Sequence, residues 1–221
     1  MESSQRAFVD LLVRHEALRF GDFTLKSGRR SPYFVNAGRF ATGAAIAGVG
    51  DAYAARALAA GLACDMVFGP SYKGVPLAVA TAIALAARGV DVPYSFDRKE
   101  AKDHGEGGIF VGATPTPGMR VVVVDDVITS GASIREAAAL LRGAGVEVSG
   151  VIVAVDREER GAGEASTLVE LARELGIAVH PIVTIRQILA YLHGRELDGQ
   201  VIVDDARRRS VEDYLERHGP R

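Results

Sequence analysis

The segment with the clearest chemical signature runs from Arg120 to Ser133, RVVVVDDVITSGAS. Its four consecutive valines predict a strand buried on both faces of a sheet, and two adjacent carboxylates, Asp125 and Asp126, follow directly. Ligands of open α/β sheets bind beyond the carboxyl ends of the strands, where such carboxylates can accept hydrogen bonds from ribose hydroxyls. Residues 129–133 add three hydroxyls and a glycine at a predicted helix N-terminus, which favours phosphate binding. Helix capping by the same residue types is the alternative interpretation.

A second segment, residues 97–108, is dense in charge and glycine and has no apolar anchor before Ile109. Its basic side chains are Arg98, Lys99, Lys102 and His104. We expect a mobile loop that closes over a polyanion such as diphosphate, because cations stabilise the charge that develops on such a leaving group. A solvated surface loop is the alternative, since most charged runs are of that kind.

Three further segments carry side chains that could reach the same crevice. Lys73 and Tyr72 belong to GPSYKG, residues 69–74, which follow the predicted strand Met66–Phe68. Lys26 lies in FTLKSGRRSPYFVNAG, residues 23–38. Only four of the chain's 26 lysine and arginine residues are lysines, and all four lie in these segments. Arg157 follows another predicted strand, and its forked guanidinium suits a carboxylate ligand, with a surface salt-bridge cluster as the alternative.

The elements that must position these residues alternate between strands and helices. The predicted helices are Ser3–Phe20, Thr42–Ala60, Val75–Ala87, Ser133–Arg142, Thr167–Leu175 and Asp205–His218. The predicted strands are Phe23–Leu25, Tyr33–Val35, Met66–Phe68, Val92–Phe96, Val121–Val124, Val146–Val155 and Ala178–Val183. This order predicts an α/β fold with a mostly parallel central sheet, flanked by helices on both faces, and an N-terminal appendage.

Composition narrows the function classes. The chain has 221 residues, 26 basic and 28 acidic, and a net charge of −2, which argues against a non-specific nucleic-acid binder. The single cysteine, Cys64, excludes an internal disulfide framework and fits a reducing compartment. The N-terminus lacks a signal-peptide pattern, and the longest apolar helical stretch, Val75–Ala87, is shorter than the ~18 residues that a membrane span needs. We expect a soluble, cytoplasmic protein with neither nucleic acid nor membrane as a partner.

Residues 120–133 resemble the phosphoribosyl-diphosphate (PRPP) signature of type I phosphoribosyltransferases. Within that family, RKEAKDHGEGG at 98–108 resembles the catalytic loop of the orotate phosphoribosyltransferases. The segments at 23–38 and 69–74, together with VDREERG at 155–161, match further motifs of these enzymes in the same order. Many members have an adjacent aromatic pair where this chain has Phe34 and Val35.

The resemblance implies a pentosyltransferase that moves ribose 5-phosphate from PRPP to orotate in de novo pyrimidine (UMP) biosynthesis. The implied catalytic residues are Lys26, Lys73, Arg98, Lys99, Lys102, His104, Asp125 and Asp126. The implied PRPP-binding residues are these eight with Tyr72, Val127, Ile128, Thr129, Ser130, Gly131, Ala132 and Ser133. The implied orotate-binding residues are Lys26, Phe34, Val35, Thr129 and Arg157. Mg²⁺ is implied as the cofactor, held mainly through PRPP, diphosphate and water rather than by direct protein ligands.

The resemblance also implies a homodimer in which the lid, residues 97–108, is shared between subunits. The whole chain is expected to form one phosphoribosyltransferase domain, with an N-terminal hood at about 1–60, a PRPP-binding core at about 61–185 and a C-terminal helical tail at 186–221. Two other functions stay open. A purine phosphoribosyltransferase would not need Arg157 for a carboxylate, and a PRPP-sensing regulator would lack the complete lid and carry an added DNA-binding region.

Overall fold

The computed structural model describes residues 1–25, 28–102, 108–161 and 163–221, with the side chains of these ranges except those of residues 99–102. Two of the predicted site residues, Lys26 and His104, lie outside the described residues. The side chains of Lys99 and Lys102 lie outside them as well. None of the described helices is both long enough and apolar enough to cross a membrane.

Helices and strands alternate through most of the described chain. The helices are α1 (Ser3–Arg14), α2 (Gly43–Ala59), α3 (Gly74–Ala86), α4 (Ala132–Gly143), α5 (Thr167–Leu175), α6 (Ile185–Leu192) and α7 (Asp205–His218), with a short 3₁₀ helix at Ala37–Arg39. The strands are β1 (Leu18–Thr24), β2 (Arg30–Val35), β3 (Met66–Phe68), β4 (Tyr94–Lys102), β5 (Gly108–Gly112), β6 (Arg120–Asp125), β7 (Glu147–Asp156), β8 (Val179–Thr184), β9 (Glu196–Leu197) and β10 (Gln200–Val201).

The central sheet has six strands in the order β5-β4-β3-β6-β7-β8. All neighbouring pairs are parallel except β4 and β5, which are antiparallel. The predicted α/β class with a mostly parallel sheet is therefore confirmed. Because β3, β6 and β7 run in the same direction, their carboxyl ends meet at one edge, and the segments that follow them lie side by side there.

Apolar layers cover both faces of this sheet. Val122 and Val124 of β6 belong to the core layer that contains α2, and Val121 and Val123 belong to the opposite layer with Ile134 of α4. All four valines are buried, as the sequence predicts. A strand buried on both faces has little freedom to shift, because any slip would expose apolar surface or bury polar surface. It therefore holds the residues at its end in a fixed position.

The predicted first helix is too long. Helix α1 ends at Arg14, Glu16 takes a left-handed conformation with φ of 52°, and the chain turns into β1 at Leu18. Leu18 is buried and Arg19 is exposed, which is the two-residue alternation of a strand rather than the spacing of a helix face. Strand β1 pairs antiparallel with β2, so the two short β segments predicted on either side of residues 26–31 are confirmed as a hairpin.

The predicted loop at 97–108 is also wrong over its first half. Strand β4 does not end at Phe96 but continues to Lys102, and it pairs antiparallel with β5, with Asp97 opposite Phe110 and Lys102 opposite Gly108. The ladder of backbone hydrogen bonds is independent of side-chain polarity, so a charged sequence can form a strand when an apolar partner lies beside it. Residues 103–107 lie outside the described residues.

Candidate active site

A cavity of about 570 Å³ opens at the carboxyl ends of β3, β6 and β7. Most of the predicted site residues that the structure describes line it: Phe34, Val35, Tyr72, Lys73, Asp125, Asp126, Val127, Ile128, Thr129, Ser130, Ser133 and Arg157. Arg98, Gly131 and Ala132 are described but do not line the cavity. The cavity is also lined by residues that the sequence motifs do not indicate, notably Leu25, Arg29, Ser71, Asp156, Glu159 and Arg160.

The acidic pair forms the centre of the cavity wall. Asp125 and Asp126 are each 7% exposed. Asp125 accepts hydrogen bonds from the Ser133 hydroxyl at 2.7 Å and from the Asp126 backbone N–H at 2.9 Å. Burial raises the pKa of Asp125, and the bond from Ser133 only partly offsets this. Asp126 forms an ion pair with the Lys73 Nζ at 2.5 Å. These contacts fix both carboxylates at the cavity wall, where their oxygen atoms can interact with a diol or a cation in the cavity.

Two buried contacts fix the backbone at this point. The Tyr53 hydroxyl of α2 donates to the carbonyl oxygen of Asp125 at 2.7 Å, and the Ala154 N–H of β7 donates to that of Asp126 at 2.8 Å. Burial raises the pKa of Tyr53, so its hydroxyl remains a proton donor at neutral pH. These contacts keep the end of β6 in register with its neighbours while its side chains face the cavity.

The loop after the acidic pair leads directly into α4. Gly131 precedes the helix with φ of 77°, a left-handed conformation that glycine adopts without strain. The carbonyl oxygen of Ser130 accepts a hydrogen bond from Arg135 at 2.6 Å, and Arg135 is paired in turn with Glu174 of α5. The loop is therefore anchored from behind, and the N-terminal N–H groups of α4 provide an electrostatically favourable position for an anion.

The loop after β3 brings Lys73 to the acidic pair. A Cβ atom on Gly69 would lie 2.0 Å from the carbonyl oxygen of Gly74, so only glycine permits this tight return of the chain. The N–H and hydroxyl of Ser71 both donate to Asp97 on β4, the N–H to its carboxylate at 2.7 Å. Tyr72, 70% exposed, lies at the mouth of the cavity.

Arg157 also lines the cavity and is only 9% exposed. Its Nε and Nη2 atoms donate to the Glu159 carboxylate at 2.9 and 2.6 Å, and its guanidinium carbon lies 4.7 Å from the centre of the Tyr33 ring. Burial lowers the pKa of Arg157, but Tyr33 and Glu159 outweigh burial and the net shift is upward. The guanidinium therefore stays charged. Phe34, which also lines the cavity, stacks on Phe23 with the ring centres 5.6 Å apart.

Comparison with known proteins agrees with this arrangement. The phosphoribosyl transferase domain model matches residues 40–179. The orotate phosphoribosyltransferase of Methylococcus capsulatus is 50% identical over 220 residues, covering 99% of each chain, and that of Cellvibrio japonicus is 52% identical over 87% of this chain and 89% of its own.

Solved structures lead to the same group. The crystal structure of orotate phosphoribosyltransferase from Francisella tularensis aligns with a TM-score of 0.82 and 34% identity, covering 96% of this chain and 98% of that one. The Mycobacterium tuberculosis enzyme in complex with PRPP aligns with a TM-score of 0.62 and 26% identity, covering 83% and 98%. With half of its residues identical to full-length relatives and the same fold, this chain belongs to the orotate phosphoribosyltransferase family.

Proposed function

We propose that the protein transfers ribose 5-phosphate from PRPP to orotate, giving orotidine 5-monophosphate and diphosphate. The observation that carries the proposal is that one cavity combines the buried acidic pair and the anion-binding loop of α4 with the buried cation of Arg157. The first two suit a phosphorylated ribose, and Arg157 suits the carboxylate of orotate. The relatives named above provide the identity of the base.

Each part of the cavity has a distinct role in this proposal. Asp125 and Asp126 accept hydrogen bonds from the ribose hydroxyls, and residues 129–133 bind the 5-phosphate. Lys73, held beside Asp126, supplies positive charge for the diphosphate. Arg157 binds the orotate carboxylate, while Phe34 and Val35 contact the ring. Together these groups place a ring nitrogen of orotate on the face of the anomeric carbon opposite the leaving diphosphate.

The reaction needs no protein nucleophile. The bond from the anomeric carbon to the diphosphate oxygen breaks, and that oxygen keeps the electron pair. The orotate ring nitrogen releases its proton to solvent and forms the new bond to the same carbon. Positive charge develops on the ribose and negative charge on the diphosphate. Cations placed beside the leaving group stabilise that charge more in the transition state than in the ground state. We assign this role to Lys73 and to the lid cations Arg98, Lys99, Lys102 and His104.

The residues present fit the Mg²⁺ that the family implies. Mg²⁺ binds in proteins through one or two carboxylates together with water and substrate phosphates. Asp125 and Asp126 lie beside the anion site and could contact the water shell of such an ion, which we propose is held mainly through PRPP, diphosphate and water. The described residues contain no cluster of three or more side chains that could hold a metal on their own. When bound, the ion would neutralise charge on the diphosphate. Lys26, which the resemblance places at both substrates, completes the proposed set.

We further propose that the protein acts as a homodimer in the cytoplasm, in the pathway of de novo pyrimidine synthesis. In the dimer the lid, residues 97–108, would close over the site of the neighbouring subunit. The antiparallel pair β4–β5 carries the described part of the lid on an extension of the central sheet, and Arg98 on that extension does not line this chain's own cavity, which supports this arrangement.

The proposed function is tested by the choice of base. Purified protein is mixed with PRPP and Mg²⁺ and with orotate, uracil, adenine or hypoxanthine, and nucleotide products are separated by chromatography. Orotate should be converted and the other bases should not. Uracil is the matched control because it is orotate without the carboxylate. Comparable conversion of uracil would refute the role of Arg157, and conversion of a purine alone would refute the proposed substrate.

A further inference from the structure

Glu159 is the common acceptor for four side chains from distant parts of the chain. Besides Arg157, its carboxylate accepts hydrogen bonds from the Arg29 guanidinium at 3.1 Å, the Tyr33 hydroxyl at 3.2 Å and the Tyr214 hydroxyl at 2.9 Å. The Glu159 side chain is 14% exposed. Two guanidinium groups share this one carboxylate, so the three charged groups together carry a net positive charge at the cavity wall.

Tyr214 belongs to this cluster but does not line the cavity. It lies on α7 and is 2% exposed, and its ring packs edge-on against that of Tyr33 at 5.9 Å. The end of α7 is fixed to the same segment, because the Arg160 backbone N–H donates to the carbonyl oxygen of His218 at 2.8 Å. Tyr214 can therefore influence a ligand in the cavity only through Glu159 and the side chains bound to it.

The geometry shows what the two tyrosine hydroxyls do for Arg157. Nε and Nη2 of Arg157 both donate to Oε1 of Glu159, and the Tyr214 hydroxyl donates to that same oxygen. The single proton of the Tyr33 hydroxyl lies between this oxygen, at 3.2 Å, and the carbonyl oxygen of Arg157, at 3.1 Å. With the oxygen held from two other directions, the guanidinium has one preferred orientation over the Tyr33 ring. An oriented, desolvated guanidinium binds a planar carboxylate better than a mobile one, since less rotational freedom is lost on binding.

We infer that Tyr214, acting through Glu159, is a positioning residue that sets the affinity for the carboxylate-bearing base. Tyr33 and Tyr214 both lie outside residues 40–179, the range that matches the general phosphoribosyl transferase domain. The segments on either side of that domain thus both contribute a tyrosine to the surroundings of Arg157, the residue assigned to the carboxylate of the base. The inference rests on the proposed function, because it takes orotate as the ligand of Arg157.

The test is a double-mutant cycle on the full-length protein. The Michaelis constants for orotate and PRPP and the turnover number are measured for the wild type, Tyr214→Phe, Arg157→Ala and the double variant. Tyr214→Phe should raise the orotate Michaelis constant about five-fold and leave the other two parameters within about two-fold. In the Arg157→Ala background the same substitution should have a much smaller effect, because the guanidinium that Glu159 orients is gone and, among the described residues, only Arg29 remains ion-paired with Glu159.

Tyr191→Phe is the matched control, because the Tyr191 hydroxyl also donates to a carboxylate, that of Asp10 at 3.3 Å, away from the cavity. It should leave all three parameters unchanged. If Arg157→Ala is too slow for a Michaelis constant, the dissociation constant of orotate, measured by calorimetric titration of the same four proteins, takes its place in the cycle. The inference would be overturned if Tyr214→Phe left the orotate Michaelis constant unchanged, or raised it equally in the wild type and in Arg157→Ala. Orotate turnover by the wild type would still uphold the proposed function. A wild type that does not use orotate would overturn both.

Discussion

Replacing both acidic residues of the cavity with asparagine should separate substrate binding from stability. In Asp125→Asn the amide oxygen can accept the Asp126 N–H, and the amide nitrogen can donate to the Ser133 hydroxyl, which reverses its own role from donor to acceptor. The shape and contacts of the buried side chain are thereby kept. The charge that burial disfavours is removed.

The cost of Asp126→Asn is the ion pair with Lys73. The Lys73 side chain is 62% exposed, and an ion pair with such an exposed partner contributes only about 0–1 kcal/mol. Summed with the gain at Asp125, the free energy of unfolding should change by no more than about 1 kcal/mol. For a chain of this size that corresponds to a shift in Tm of roughly 2–4 °C.

The loss in PRPP affinity should be much larger. Each hydrogen bond from a substrate hydroxyl to a carboxylate is worth about 1.5–3 kcal/mol, so losing two weakens PRPP binding at least about a hundred-fold. Diphosphate is the control ligand: it lacks the ribose, and removing two negative charges beside its site should leave its affinity equal or higher. Calorimetric titrations at fixed Mg²⁺ measure both ligands, and thermal unfolding measures stability.

Three results would contradict this reasoning. Unfolding of the double variant at room temperature would show that the pair is structural. Undiminished PRPP affinity would show that the ribose hydroxyls bind elsewhere. Equal loss of PRPP and diphosphate affinity would show that the variant disturbs the anion site as a whole rather than contacts with the ribose.

Three further predictions concern titration, the base and the lid. Since the pKa of Asp125 is raised above 3.8, the folded state binds more protons than the unfolded chain just above pH 3.8, and the contribution of Asp125 to stability falls as pH rises. Denaturant unfolding between pH 4 and 7 should therefore show that the free energy of unfolding of Asp125→Asn increases relative to that of the wild type. Arg157→Ala should raise the orotate Michaelis constant about ten- to hundred-fold and that of PRPP much less, and equal increases in both would contradict its assignment. Lys102→Ala should lower turnover far more than PRPP affinity. Mixing this variant with the Asp125→Asn, Asp126→Asn variant should restore about a quarter of wild-type activity in a freely exchanging dimer. No recovery despite proven subunit exchange would show that the lid closes over the site of its own subunit.

The parts of the fold that followed from the sequence are those in which one periodic signal dominates. The valine strand before Asp125, the helix Thr167–Leu175 and the helix Asp205–His218 were predicted at or near their observed ends. The predicted first helix is too long because Leu18 also fits a helical spacing, and only its pairing with β2 determines that it belongs to a strand. Helix α6 was missed although Thr184 and Gln187 form a capping box, a signal that the sequence does contain.

The site was predictable where a residue directly follows a strand end, as Asp126 and Arg157 do, or lies in the short loop after one, as Lys73 does. The parallel sheet then brings such residues together without further information. Glu159 was not predictable as the acceptor for side chains from both ends of the chain, because Tyr33 and Tyr214 are far apart in sequence and each also reads as an ordinary core aromatic. A buried phenol needs a hydrogen-bond partner, but the sequence does not say which one it finds.

The most direct test of the proposed function is to follow orotate absorbance after the protein is mixed with PRPP and Mg²⁺. Absorbance should fall, diphosphate should appear in equal amount, and the Asp125→Asn, Asp126→Asn variant should show no comparable rate at the same PRPP concentration. A folded wild-type protein that leaves orotate absorbance constant would contradict the assignment of this cavity to orotate and PRPP.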